Sequence, residues 1–177
     1  MIERLALDRL IIIPTCVPPH KSGEKTASGE DRLAMVRLCF RGVEKVEVSD
    51  TELRRGGKSY TVDTVTQLAR AYPSDELIFI MGSDMLLSFH MWKNPHTILN
   101  KVKICGVTRI DSLDKEKLEN YVEKHFPTEK NRFMIEDFSP LEISSTAVRA
   151  AIKNGESTKE LIDREVAEYI DKKELYL

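Results

Sequence analysis

Residues 77–81 read LIFIM, and residues 82–84, which follow them directly, read GSD. Five consecutive apolar residues, with β-branched and aromatic side chains among them, predict a strand that is buried on both faces. The polar turn, and the helical stretch that continues through Phe89, then predict a strand–turn–helix unit. Units of this kind build parallel sheets that carry helices on both faces.

The alternation of strand and helix patterns extends along the chain. Four other short apolar or alternating runs predict strands, and they are residues 10–14, 45–49, 102–107 and 133–135. Ser28 and Asp31 have the spacing of a capping box, and Thr61 precedes an apolar helical stripe that it can cap. The predicted fold class is therefore α/β, with a mostly parallel sheet and helices on both of its faces.

The composition indicates one globular domain over residues 1–177. The chain is 41% hydrophobic with a net charge of −2, which suits a full core and argues against nucleic acid or an anionic membrane as a partner. No apolar run reaches the ~20 residues of a membrane span.

Three scattered cysteines, Cys16, Cys39 and Cys105, fit the reduced thiols of a cytoplasmic protein. A homo-oligomer is left open.

Polar or glycine-bearing segments follow each predicted strand. They are residues 14–21, 49–61, 82–84, 108–109 and 144–149. In parallel sheets, ligands bind beyond the carboxyl ends of the strands, where such segments meet. We therefore expect a ligand site along this edge, built from loops that are distant in sequence.

The last of these segments has the pattern of a phosphate site. Ser144, Ser145 and Thr146 stand at a helix start, where first-turn N–H groups point outward, and Arg149 lies one turn further on. Anchored N–H donors beside a fixed guanidinium bind phosphate. The alternative interpretation is an ordinary capped helix with a surface arginine.

Two further segments suggest a nucleotide. Gly82 would let a flat ring approach the backbone, and Asp84 could accept from a ribose hydroxyl or help to hold a metal. The alternative is a glycine turn with an aspartate near a helix start. Arg109, at a predicted strand end, could pair with phosphate, although an ordinary surface arginine is the default interpretation.

The remaining candidates would suit an aromatic, acidic ligand. Trp92, the only tryptophan, could stack on a ring such as a pyridine, or could be a core residue. Tyr60 and Thr61 could donate to a carboxylate at a helix start, and simple capping by Thr61 is the alternative. His20 and Lys21 could hold a phosphate, or could lie on a solvated loop tip.

Several common sites are absent from the sequence. There is no G-x-S-x-G, no Walker loop and no G-x-G-x-x-G, which excludes the usual hydrolase, P-loop kinase and dinucleotide oxidoreductase patterns. His90, His96 and His125 show no metal-ligand spacing, so no protein metal site is predicted.

Seven ordered motifs together resemble one family. They are PPHK (18–21), DRLAMV (31–36), SD with EL (49–53), GKSYTVDT (57–64), GSD (82–84), WK (92–93) and ISST with Arg149 (143–149). In this order they resemble the bacterial nicotinate-nucleotide adenylyltransferases of the nucleotidylyltransferase superfamily, over nearly the whole chain. The resemblance implies a Rossmann-like fold and adenylyl transfer from ATP to nicotinate mononucleotide, giving deamido-NAD and pyrophosphate with Mg²⁺ present. Catalysis would be positioning plus charge neutralisation on the phosphates.

The resemblance also implies a role for each candidate residue. The ATP phosphates would be held by Ser144, Ser145, Thr146 and Arg149, of which Ser145 and Arg149 are the expected catalytic residues. The adenosine side would be lined by Gly82, Asp84 and the Arg109 loop. The nicotinate mononucleotide would contact His20, Lys21, Tyr60, Thr61 and Trp92.

One departure from the family pattern is large. The family opens with a strand and a glycine-rich turn bearing His-x-Gly-His, and this sequence contains no such motif. Residues 1–7 resemble the helix that follows it, so we expect about 20–25 residues, including the family's first strand, to be missing. An internal Met start, a truncation and a degenerate relative are the three explanations. We expect little or no activity from this polypeptide alone.

Two other functions remain open from the sequence. The chain could adenylylate nicotinamide mononucleotide or pantetheine phosphate, which comparative turnover would show. It could also be a non-catalytic nucleotide-binding module, which would bind ATP without releasing pyrophosphate.

Overall fold

The computed structural model describes residues 1–17, 27–109, 112–138 and 143–176, with the backbone alone at residues 109, 112 and 113. The chain divides into two compact units. The first unit comprises Met1–Ser59 with Glu142–Leu177, and the second unit is Tyr60–Leu141. The expectation of one domain over residues 1–177 therefore stays a prediction.

Helices and strands alternate along the chain. In order they are β1 (Leu10–Ile12), α1 (Gly29–Cys39), β2 (Val46–Val48), α2 (Thr51–Arg55), α3 (Thr61–Ala71), β3 (Ile78–Gly82), α4 (Ser83–Leu86), α5 (Pro95–Leu99), β4 (Lys103–Arg109), α6 (Ser112–His125), β5 (Phe133–Phe138), α7 (Ser145–Lys153) and α8 (Arg164–Lys172). Short 3₁₀ turns lie at Phe89–Met91 and Lys130–Arg132.

All strand pairs in the described residues are parallel, as the sequence predicts. β1 pairs with β2, with Leu10 opposite Val46, in the first unit. In the second unit the order is β3-β4-β5, with Gly82 opposite Val107. The α/β class is confirmed, but these five strands form two sheets where the sequence predicted one. No helix among the described residues is long and apolar enough to cross a membrane.

Aromatic packing dominates the core of the second unit. Phe89, with no exposed surface, has its ring centroid 5.4 Å from those of Trp92 and Phe126. Gly106 on β4 is packed closely against Leu86 of α4, because a Cβ at Gly106 would lie 2.6 Å from the Leu86 Cδ2 atom. The helix after β3 thus sits directly on the neighbouring strand, and this packing fixes the turn at Gly82.

Polar contacts join α1 to α8 in the first unit. The Ser28 hydroxyl accepts from the Asp31 N–H at 3.0 Å, so the predicted cap at Ser28 is confirmed. The Tyr169 hydroxyl, on α8, donates to the Asp31 carboxylate at 2.9 Å. Hydrogen bonds from Ser28 and then Tyr169 lower the pKa of Asp31. These bonds stabilise the ionised carboxylate at the junction of the two helices.

One local prediction is wrong. Thr61 is the first residue of α3, the N-cap position belongs to Tyr60, and the Tyr60 side chain makes no cap hydrogen bond. Thr61 therefore does not cap α3, and the capping interpretation of this residue is wrong. Arg54 and Arg55 are the last residues of α2, and Gly56 and Gly57, both with positive φ, form the turn that follows it.

Candidate functional site

The predicted phosphate segment lies at the start of α7. Ser144 is the N-cap, with extended backbone, and its hydroxyl accepts from the Ala147 N–H at 3.1 Å. Ser144, Ser145 and Thr146 are all exposed. The predicted helix start is confirmed, and its first turn offers hydroxyl and N–H donors to solvent together with the positive end of the helix dipole.

Arg149 faces the same turn. Its Nη2 donates to the Thr146 hydroxyl at 3.4 Å, and its side chain is half-buried. Burial raises the pKa of Tyr176, whereas the positive charges of Arg149 and Arg32 oppose that rise. Two guanidinium groups of the first unit therefore lower the pKa of the same phenol. The sequence did not indicate this grouping, because Arg32, Arg149 and Tyr176 are far apart in the chain.

Arg32 holds the chain that follows β1. Its Nη2 donates to the carbonyl oxygens of Thr15 at 2.5 Å and of Cys16 at 3.2 Å, and its Nη1 donates to the Thr15 hydroxyl at 3.3 Å. These bonds fix the backbone just before residues 18–26. His20 and Lys21 lie outside the described residues, so their predicted phosphate contacts stay predictions.

Ser59 ties a second segment to the same stretch. Its buried hydroxyl accepts from the Cys16 N–H at 2.8 Å, and its own N–H donates to the Val17 carbonyl at 2.9 Å. Val17 and Lys58 form a parallel bridge. These bonds fix residues 58 and 59 against residues 16 and 17 within the first unit.

In the second unit, Gly82 and Asp84 lie where β3 ends and α4 begins. Gly82 has φ −69°, which any residue adopts, and a Cβ there would meet no described atom within 4 Å. Neither backbone strain nor packing therefore requires glycine at this position. The open space over an exposed backbone is what a flat ligand would need, and Asp84 is exposed beside it.

β4 ends at the same edge of the three-stranded sheet. Val107 is opposite Gly82, so Arg109 lies two residues beyond it, at the end of β4. The fully buried Thr108 donates a hydrogen bond to the Asp137 carboxylate of β5, which fixes this strand end. The register thus brings the backbones of Gly82 and Arg109 to one edge, as the sequence predicts.

The Tyr60–Thr61 helix start lies beside Trp92-Lys93. The Lys93 Nζ is 4.2 Å from the centroid of the Tyr60 ring and 3.7 Å from the Asp63 Oδ2 atom. Asp63 is in the first turn of α3. Residues from two segments, predicted separately to contact a carboxylate and a ring, therefore form one cluster in the second unit. In the sequence, Lys93 stood out only as part of the Trp92-Lys93 motif.

Trp92 is both a packing residue and an accessible one. Its ring meets Phe79 and Phe89 edge-on, with centroids 6.1 and 5.4 Å away, and the side chain is half-buried. Edge contacts against the core hold the plane of the ring while part of its surface stays available. The two alternatives from the sequence, a core residue and a stacking platform, are therefore compatible.

The histidines form no metal centre in the described residues. His90 and His125 stack at 4.2 Å, and the His90 Nδ1 lies 2.7 Å from the Tyr121 hydroxyl. His96 pairs with Glu129 at 2.6 Å. Across the described ranges, no group of three or more His, Cys, Asp or Glu side chains could hold a metal ion.

The candidates thus fall into three groups: the α7 start with Arg149 in the first unit, and the sheet edge and the Tyr60–Trp92 cluster in the second. A common rim that unites all three stays a prediction.

Comparisons with known proteins identify relatives along nearly the whole chain. A cytidylyltransferase-like family model matches residues 1–151. A probable nicotinate-nucleotide adenylyltransferase from Clostridium tetani is 35% identical over 99% of this chain and 87% of its own length. A second protein of that description, from Desulfitobacterium hafniense strain Y51, is 36% identical over 98% of this chain and 84% of its own.

A solved structure shows the same fold. It is a Plasmodium falciparum nicotinic acid mononucleotide adenylyltransferase complexed with NaAD. It matches with a TM-score of 0.71 at 18% identity, over 96% of this chain and 83% of the other. At that identity the likeness concerns the fold, which is the predicted Rossmann-like α/β arrangement.

Proposed function

The chain belongs to the cytidylyltransferase-like family and, within it, to the nicotinate-nucleotide adenylyltransferases, and we propose that it transfers AMP from ATP to nicotinate mononucleotide. An oxygen of the mononucleotide phosphate attacks the α-phosphorus of ATP. The bond from that phosphorus to the oxygen bridging to the β-phosphorus breaks, and deamido-NAD and pyrophosphate result. The observation that carries the proposal is the 35% identity over 99% of the chain.

The α7 start supplies the charge neutralisation that this reaction needs. Negative charge moves onto the leaving pyrophosphate in the transition state, so fixed donors and cations accelerate the step. Ser144, Ser145, Thr146 and Arg149 would bind the triphosphate. Support comes from their exposed first turn and from the contact that holds Arg149 to Thr146. Ser145 and Arg149 are the proposed catalytic residues.

The sheet edge of the second unit would take the adenosine. The open backbone at Gly82 suits an adenine or ribose approaching closely, Asp84 suits a ribose hydroxyl, and the Arg109 loop would close that side. Mg²⁺ would arrive on ATP, because this ion usually keeps several waters and binds through substrate phosphates with one or two carboxylates. Asp84 is an exposed carboxylate at this edge.

The Tyr60–Trp92 cluster would bind the nicotinate ring. A half-exposed Trp92 ring suits stacking on a pyridine, and the start of α3 at Thr61, where Tyr60 makes no side-chain cap bond, suits a carboxylate. His20 and Lys21 would contact the phosphate of the same substrate.

The test is product formation by the purified chain with ATP and Mg²⁺. Nicotinate mononucleotide should give deamido-NAD and pyrophosphate in equal amounts. Faster turnover of nicotinamide mononucleotide or pantetheine phosphate would assign the chain to those substrates. ATP binding by calorimetry, with no pyrophosphate from any acceptor, would identify a non-catalytic nucleotide-binding module.

A further inference from the structure

The 3₁₀ turn at Phe89–Met91 positions the backbone of Trp92. Trp92 directly follows this turn, and its N–H donates to the Phe89 carbonyl oxygen at 3.0 Å. Phe89 has no exposed surface, whereas His90, in the middle of the turn, is exposed. The buried phenyl ring fixes one side of the turn by packing. The other side, at His90, lies outside the core and needs another support.

Tyr121 of α6 supplies that support through a single oxygen atom. The Tyr121 hydroxyl accepts from the His90 backbone N–H at 2.9 Å, and it lies 2.7 Å from the His90 Nδ1 atom. The first N–H groups of a helical turn have no partner within the turn, and the bond to Tyr121 satisfies one of them. A phenol hydroxyl has one proton and two acceptor sites. The Tyr121 hydroxyl therefore accepts from the backbone and donates to Nδ1 when that nitrogen carries no proton.

His125, one turn after Tyr121 on α6, stacks on His90. The two ring centroids are 4.2 Å apart, and the ring planes are within 23° of each other. Neutral imidazole rings pack in this way, whereas two imidazolium rings at this distance repel each other. Burial, and then the charges of His90 on the 3₁₀ turn and Lys124 on α6 itself, lower the pKa of His125. The stack is therefore a contact between neutral rings.

Acid acts against both contacts at His90. A protonated Nδ1 is a donor, so it competes with the backbone N–H for the oxygen of Tyr121, and the phenol proton has to turn away. Positive charge on both histidines opposes the stack. The support is therefore complete above about pH 6.5, where the rings are neutral, and it is lost as the pH falls through the folded-state pKa of His125.

We propose that Tyr121 is a positioning residue, which holds the 3₁₀ turn through His90 and thereby fixes the Trp92 ring for its ligand, and that protonation of the His90–His125 pair releases this hold. The proposal rests on the proposed function, since the ligand is the pyridine ring of the mononucleotide. The acid and the amide stack through the same ring, so both should respond alike. One hydrogen bond of ordinary net strength corresponds to about a 3- to 10-fold change in affinity.

The test uses Tyr121→Phe, which removes the hydroxyl and keeps the ring that packs against the core. Trp92 fluorescence is titrated with nicotinate mononucleotide at about pH 8 and about pH 5.5, and ATP binding is measured by calorimetry. At the higher pH, the Kd of the mononucleotide should rise about 3- to 10-fold over wild type, and the Kd of ATP should change less than about twofold. At the lower pH, the ratio of the two mononucleotide Kd values should approach one, because acid has already released the turn in the wild type. Variant and wild type are compared at the same pH, because a phosphate monoester also titrates near pH 6.

Two further variants separate the positioning role from a general loss of structure. In His90→Asn, the amide oxygen can accept the Tyr121 proton at any pH. This variant should bind the mononucleotide like wild type at about pH 8, and its affinity should fall less at about pH 5.5. Tyr72→Phe removes a hydroxyl at the other end of α3 from Tyr60, and should match wild type at both pH values.

Hydrogen exchange at the His90 and Trp92 N–H groups, measured without ligand, tests the same hold independently of the reaction. Both N–H groups should exchange faster in Tyr121→Phe than in wild type at about pH 8. Unchanged exchange, a Kd ratio that stays constant with pH, or an equal loss of ATP affinity would overturn the inference while leaving adenylyl transfer intact. Failure of the wild type to bind or react with any mononucleotide would overturn the proposed function, and the exchange rates would still decide whether Tyr121 holds the turn.

Discussion

The two units of this protein are stabilised in different ways. Among the described residues, the largest fully buried side chains, which include Phe89, Phe126 and Leu86, all belong to the second unit. The buried apolar side chains described in the first unit keep 3% to 9% exposure, and polar residues such as Glu52 and Ser59 are buried with them. Apolar burial is non-directional, whereas hydrogen bonds fix positions. The second unit therefore holds an aromatic platform by packing, and the first holds loop backbones by directed bonds.

The difference bears on the candidate sites. Trp92 needs a fixed ring plane, which edge contacts with a dense core provide. The segment 15–17 needs a fixed backbone, which Arg32 and Ser59 provide through carbonyl and N–H groups. Removing buried apolar groups should therefore destabilise the second unit most. Removing hydrogen-bond donors should destabilise the first unit most.

The largest effect is expected from removing the central aromatic ring of the second unit. Phe89→Ala should lower the free energy of unfolding by about 3–5 kcal/mol, because it removes a fully buried ring and leaves a cavity. Urea unfolding followed by Trp92 fluorescence measures this. Leu33→Ala in the first unit, at a site that keeps 9% exposure, is the matched control and should lose less. Equal losses would contradict the contrast between the units.

A large effect on ATP binding, with little on stability, is expected at Arg149. Arg149→Met should weaken ATP binding, measured by calorimetry, about 10- to 100-fold, because a charge-assisted contact with the phosphates would be lost. Lys153→Met removes an exposed charge one turn further along α7 and should stay within about twofold of wild type. Similar losses in both variants would show that net charge, and not the position of Arg149, matters.

A smaller effect on stability should follow from Arg32. Arg32→Met should cost about 1.5–3 kcal/mol in urea unfolding, since bonds from one guanidinium to the Thr15 and Cys16 carbonyls would be lost. Hydrogen exchange at the Cys16 N–H should rise at the same time. Arg37→Met, at an exposed position of the same helix, should change neither quantity. Unchanged hydrogen exchange at the Cys16 N–H in Arg32→Met would show that the Arg32 hydrogen bonds do not fix this backbone.

The smallest effect is a pH dependence in the second unit. Desolvation, then His90 and then Lys124 lower the pKa of His125 from 6.5. The folded state therefore binds this proton less readily than the unfolded chain, so stability from neutral His125 is present above about pH 6.5 and is lost as the pH falls through the folded-state pKa. The urea concentration at the unfolding midpoint should fall less between about pH 7.5 and pH 5 in His125→Gln than in the wild type. If the midpoint of His125→Gln falls as steeply with pH as that of the wild type, other groups cause the loss of stability.

Local sequence signals predicted several features of the sites. Ser28 and Ser144 are N-caps, because a hydroxyl before a helical pattern satisfies a first-turn N–H wherever the helix lies. The Thr61 cap failed because Tyr60 takes the N-cap position without a side-chain bond. The five-residue α2 was missed because so short a helix has little periodicity to detect.

What the sequence determined by itself was the alternation of parallel strands with helices and the identity of the polar segments after each strand, since both follow from local patterns of side chains. Tertiary structure alone decided that Lys93 lies over Tyr60, that Arg32 holds Thr15, and that the described strands fall into two sheets. Those contacts join residues far apart in the chain. They depend on how elements pack and pair, which no short stretch of sequence specifies.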